Sequence, residues 1–116
     1  METSRERIRK VLNHQKPDRL AIDFCSSGST GISSFCYDKL KQYTGIDAGE
    51  ITRIYDLWMM QSLPSFEMIE RFGGDIIQVP HLSPEFNIPW EKGKKMNIHG
   101  TDFLVPEDFS PVCRED

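Results

Sequence analysis

Two short apolar runs separated by helix-forming sequence constrain this chain more than any other feature. In the first, Leu20, Ile22 and Phe24 alternate with Ala21 and Asp23, a period of two that predicts a strand over residues 20–24, with Ala21 and Cys25 small enough to be buried on the other side. The second, Asp75-Ile76-Ile77-Gln78-Val79, lies between Gly74 and Pro80 and is rich in β-branched residues, the pattern of a strand covered on both faces. Strands alternating with helices imply a parallel α/β sheet whose consecutive strands, 20–24 and 76–79, pair side by side.

The helices announce themselves by their ends. Thr3-x-x-Glu6 has capping-box spacing, and Ile8, Val11 and Leu12 follow as one apolar stripe, with Arg5, Arg7, Arg9 and Lys10 expected on a solvated face. Pro17 closes that helix, and Lys16-Pro17-Asp18-Arg19 reads as a turn. Ser33 or Ser34 can cap a helix through Tyr43, with Phe35, Leu40 and Tyr43 as its buried stripe and Gly45 as a left-handed terminator. Residues 51–56 read as extended. Asp56 can cap a helix to about Leu63, and Ser65 a second one carrying Phe66, Ile69 and Phe72 and closed by Gly73. Trp58, Met59, Met60 and Met68 are expected as core filling.

From Pro80 onward the chain changes character. Five of its seven prolines fall there, which disfavours long helices. Residues 94–98 and 101–105 flank His99-Gly100, a two-residue hairpin turn if His99 accepts a positive φ.

Composition bounds the function classes. At 116 residues there is room for one domain of modest size. The longest uninterrupted apolar run, Leu57-Trp58-Met59-Met60, falls far short of the about 20 residues of a membrane span, and the polar amino terminus is no secretory signal, so a cytoplasmic address is expected. A net charge of −4 gives no electrostatic reason to approach nucleic acid. Cys25, Cys36 and Cys113 are odd in number and far apart, which argues for free thiols.

Thr3-Ser4-Arg5-Glu6-Arg7 leading to Leu12-Asn13-His14, then Lys16-Pro17-Asp18-Arg19 and Ile22-Asp23-Phe24, resembles the amino-terminal signature of the uroporphyrinogen decarboxylase family, which also includes corrinoid-dependent methyltransferases. The resemblance continues through Gly31-Ile32, Ile54-Tyr55-Asp56, Glu70-Arg71-Phe72-Gly73 with Asp75, and Trp90, Gly93 and Leu104-Val105-Pro106 with Phe109. It covers nearly the whole chain. It implies the amino-terminal part of a (β/α)8 TIM barrel with a leading helix and a β-hairpin insertion. A complete barrel needs roughly 250 residues, so the chain is expected to be a fragment of a longer parent and marginally stable alone. The parent chemistry implied is decarboxylation or corrinoid-linked methyl transfer. Its substrate would be a small molecule, a tetrapyrrole or a methylated compound handed to a corrinoid protein. The alternative is a self-contained α/β binding module without catalysis.

Active sites of such barrels lie at the carboxyl ends of the strands, here residues 24–31 and 80–83. The decarboxylases proper carry arginines after the first strand and an aspartate just after the second. This chain has no arginine between Arg19 and Arg53, and its second loop reads Pro80-His81-Leu82-Ser83, so a porphyrinogen substrate is disfavoured even within the family. His81 is the candidate acid, base or ligand in that loop, against the plainer reading of a hydrogen-bonded surface histidine. Asp23 is the second catalytic candidate, because a carboxylate among apolar strand residues would need a partner or a proton. Gly28, Ser29, Thr30 and Gly31 are the substrate-binding candidates: their backbone amides stand ahead of a helix, although a simple strand-to-helix loop gives the same pattern. No residues have metal-ligand spacing and no cofactor is expected in this chain; zinc and a corrinoid would belong to a parent of the methyltransferase branch.

Overall fold

The computed structural model describes residues 1–79, 88, 90 and 92–112. Helix α1 (Ser4–Leu12) begins at the expected capping box: Thr3 Oγ1 accepts from the Glu6 amide, and Glu6 Oε2 accepts from the Thr3 amide at 2.9 Å. Strand β1 (Ile32–Ser33) runs directly into α2 (Ser34–Thr44), which Gly45 terminates in the left-handed conformation at φ 76°. Three further short elements follow, β2 (Thr52–Arg53), β3 (Gln61–Ser62) and α3 (Phe66–Arg71), the last capped by Ser65 Oγ accepting from the Met68 amide. Strands β4 (Gly93–Ile98) and β5 (Thr101–Pro106) complete the order. The result is a mixed α/β arrangement with small sheets and an open shape. Its radius of gyration, 16.5 Å, exceeds the about 13 Å of a compact domain of this size.

The hairpin forms as its turn residues dictate. His99 and Gly100 both take positive φ, 49° and 85°, so the two-residue turn has the twist that adjoining strands need. Asn97 supports it, accepting from the Gly100 amide and donating to Asp102. β5 pairs antiparallel with β4 and parallel with β2, with Thr52 opposite Phe103 and Arg53 opposite Leu104. Phe103 and Val105 alternate inward along β5 and close with Ile54 and Leu57 into the main apolar core, on which Phe35, Met60 and Met96 pack.

Several expectations need correction. Residues 20–24 and the described part of the second run form no strand. They meet through one backbone bond, Asp75 amide to Ile22 carbonyl at 2.8 Å, while the Asp75 side chain takes the Ile22 amide that a ladder would have used. The left-handed φ of Cys25, 62°, then turns the chain away. The parallel pair lies instead between β2 and β5. The helix expected from Asp56 is a tight turn: Asp56 does accept from the Met59 amide at 2.7 Å, but Met60 adopts φ 54° and the chain doubles back, pairing Asp56 with Gln61. In α2 the buried stripe is Ser34, Tyr37 and Lys41, while Tyr43 lies exposed. Val11 and Leu12 of α1 are exposed, whereas Arg7, expected in solvent, is 3% exposed. Of the expected core fillers, Met68 is buried and Trp58 and Met59 are exposed. No helix among the described residues is long and apolar enough to cross a membrane.

Arg7 is buried because its partners come from elsewhere in the chain. Its Nε meets Asp18 at 2.8 Å and its Nη1 meets Asp75 at 2.5 Å, and Arg19 holds both Asp75 oxygens. Burial alone would raise the Asp75 carboxyl; the Ile22 amide, the Ser4 hydroxyl and the two arginines outweigh it and hold the pKa at about 2. This network fastens α1, the Asp18-Arg19 turn and the segment after Gly73 to one another.

Candidate functional site

The glycine-containing loop 25–31 faces the turn 56–61 across a cleft of about 200 Å³. Both residues of β3 line it, and β3 is held by antiparallel pairing with β1, Ile32 opposite Ser62 and Ser33 opposite Gln61. Gln61 closes one side. Its Nε2 donates to the Gly28 carbonyl at 3.0 Å, and its Oε1 lies so close over Gly31 that a Cβ there would come within 2.1 Å. A Cβ at Gly31 would thus push the Gln61 carboxamide aside, and no positive φ is involved. Ser62 Oγ donates to the Arg53 carbonyl at 2.7 Å and accepts from the Ser34 hydroxyl at 2.8 Å, which fixes β3 against the start of α2.

Gly28 and Gly31, both substrate-binding candidates, line this cleft. Ser29 and Thr30 form the exposed tip: the Thr30 amide is spent on the Ser27 carbonyl, and the Ser27 and Thr30 hydroxyls meet at 3.0 Å. Asp23 does not stand among buried apolar residues. It is exposed, accepts from the Ser26 amide at 2.9 Å, and so organises the start of the loop. Partial burial would raise its carboxyl, but bonds from Ser26 and Thr30 prevail and hold it below the usual range. No protonated lumen carboxylate is needed. His81 lies outside the described residues.

Sequence reasoning missed the residue that gives the cleft its charge. Asp56 is the only charged side chain among its described lining residues; Oδ1 is fixed by the Met59 amide, and Oδ2 looks toward Gly28, 3.8 Å from where a Cβ would stand. The signal was present as a cap but was assigned to a helix. Cys25 is also on the wall. Burial first, then the Asp23 charge, push its thiol up, which disfavours the thiolate. Cys36 is free and exposed, and Cys113 lies outside the described residues.

A second cavity of about 240 Å³ adjoins the first, sharing Cys25, Leu63 and Gln78 with it, and is walled by Pro64, Phe66, Ile69 and Ile77. Polar and apolar compartments thus sit next to each other. Elsewhere, the Arg53 guanidinium stacks on Trp90 at 3.7 Å, and Lys41 is buried with Nζ on the Glu50 carbonyl at 2.5 Å. Among the described residues no three His, Cys, Asp or Glu side chains come close enough to share a metal ion. No family model, no curated protein and no solved structure matches the chain.

Proposed function

We propose that the chain is the amino-terminal portion of a uroporphyrinogen decarboxylase-family barrel, whose parent carries out decarboxylation or corrinoid-linked methyl transfer on a small molecule in the cytoplasm. One observation carries the reading. The signature residues that carry the resemblance, Arg7, Asp18-Arg19 and Asp75, are distant in sequence yet meet in a single ion-pair network whose Arg7 and Asp75 side chains are buried. That convergence supplies a physical reason for those residue types at that spacing. It locks the leading helix over the stretch that precedes the candidate loop, and this loop would then face the substrate.

Within this reading a tetrapyrrole polycarboxylate is the weaker substrate class. The described cleft offers Asp56 and no guanidinium, so each substrate carboxylate would forgo a bidentate contact of roughly 1.5 to 3 kcal/mol. Zinc or a corrinoid would be a matter for the parent enzyme. Reading the coding DNA past Asp116 tests the proposal: continuation of the frame into further strand and helix units supports it. The full-length parent, incubated with uroporphyrinogen, should form little coproporphyrinogen. Turnover like that of an authentic decarboxylase would show that the two loops are misassigned.

The second reading, a self-contained binding module, draws on the Ile54, Leu57, Phe103 and Val105 core, which closes within this chain. A stop codon directly after Asp116, with a sharp cooperative melt of a monomer, would favour it.

A further inference from the structure

We infer that the polar cavity between loop 25–31 and turn 56–61, together with the apolar cavity that adjoins it, binds a small organic amine whose ammonium group meets Asp56 and whose hydrocarbon part fills the apolar compartment. The inference takes from the family reading only the view that this loop faces the substrate. The polar compartment presents a fixed carboxylate, and among the described residues no cation stands on its walls and none forms an ion pair with it. An anionic ligand would meet that charge with nothing to offset it. A cation or strong hydrogen-bond donor would be held by Asp56 Oδ2, with the Gln61 carboxamide beside it.

The adjoining compartment is different chemistry. Phe66, Ile69, Ile77 and Pro64 offer no charge, and its volume of about 240 Å³ suits a phenyl ring or a short branched chain. A ligand that is cationic at one end and apolar at the other satisfies both compartments. Methylamine would reach only the first and benzene only the second.

The test is titration of the full chain, labelled with nitrogen-15, with phenethylamine, and in parallel with 3-phenylpropionate and methylamine, following amide shifts and heat of binding. Phenethylamine should move the amides of Gly28, Gln61 and Phe66 together, and 3-phenylpropionate should leave them in place. Asp56→Asn, which keeps an oxygen for the Met59 amide, should weaken phenethylamine binding about tenfold or more. Phe66→Ala, at a side chain 71% exposed, should weaken it severalfold without unfolding the chain. Equal binding of the acid and the amine to the unaltered chain would overturn the inference, as would phenethylamine that shifts none of these amides, and neither result depends on any variant folding. If the amine fails while the reading frame continues into a barrel, the family reading stands and only the ligand class falls.

Discussion

The amino-terminal region and the hairpin region of this chain are held together by opposite means. Around α1 the contacts are ionic: Arg7, Asp18, Arg19 and Asp75 are buried or pinned, while the apolar Leu12, Leu20 and Val11 stay exposed. In the β2, β5, β4 sheet the order is reversed. Phe103, Val105 and Ile54 are wholly buried, and the charged pair Lys95 and Asp102 lies on the surface. A region held by burial is stabilised in proportion to the area removed from water, whereas one held by buried charges gains little net energy but becomes intolerant of losing any single partner. The two regions should therefore respond differently to the same insults.

The largest effect is expected at Phe103. It is wholly buried, edge-on to Phe35 with centroids 4.8 Å apart, so Phe103→Ala should cost about 4 kcal/mol and remove amide-exchange protection throughout the hairpin. If α1 amides keep their protection in that variant, the two regions unfold separately; if all protection goes at once, they form one cooperative unit and the contrast drawn above is only local.

Next comes Asp75→Asn. The substitution keeps the shape and an acceptor for the Ile22 amide, but leaves Arg7, 3% exposed, with Asp18 as its one described carboxylate partner beside the Glu2 carbonyl. Removing one partner of a buried pair costs about 3 kcal/mol. Urea unfolding followed at α1 should show that loss while hairpin exchange rates change little. Exchange that is unaltered at α1 would mean that the network decorates the fold without holding it.

Acid gives a smaller and graded version of the same experiment. The Asp75 carboxyl is depressed from 3.8 to about 2 in the folded chain, so its stabilisation is complete above pH 4 and is lost as the pH falls toward 2. The loss is on the order of 2 kcal/mol, and Asp18, also held below the usual carboxylate range by Arg7, contributes in the same window. Nuclear magnetic resonance at pH 2 should find α1 frayed and the hairpin intact. A hairpin that melts first on acidification would contradict the division.

How legible these regions were follows from the range of the interactions that build them. The capping box at Thr3, the Ser65 cap, the left-handed Gly45 and the His99-Gly100 turn are all decided within a few residues, and all four were readable. Arg7 was not, since its partners are 11 and 68 residues away and a charged residue on an amphipathic helix ordinarily faces water. The alternation in residues 20–24 suggested a strand, but a strand also needs a neighbour to pair with, and the Asp75 side chain claimed the Ile22 amide first. In the cleft, the glycines at 28 and 31 were found from composition. Of their facing residues, Asp56 was legible as a cap but not as part of a cleft, and Gln61 was not legible, because the turn that brings both there depends on a left-handed Met60 that no local propensity favours.

The smallest effect tests whether the ionic region is a network or a set of independent contacts. Thr3→Ala removes the hydroxyl that accepts from the Glu6 amide and leaves an exposed helix start, worth about 1 kcal/mol by itself. Glu6, whose carboxyl the Thr3 amide and hydroxyl hold below the usual range, loses half of the reciprocal pair. The adjoining Ser4 hydroxyl is one of the groups that steady Asp75, so fraying of the first turn should also loosen the buried carboxylate. The two sites are then coupled, and the double variant Thr3→Ala with Asp75→Asn should cost less than the sum of the single changes, because part of what the cap secures is already gone. Strict additivity in urea denaturation would show that the cap acts on α1 alone, and that the charges at Asp75 hold the helix whether or not its first turn is formed.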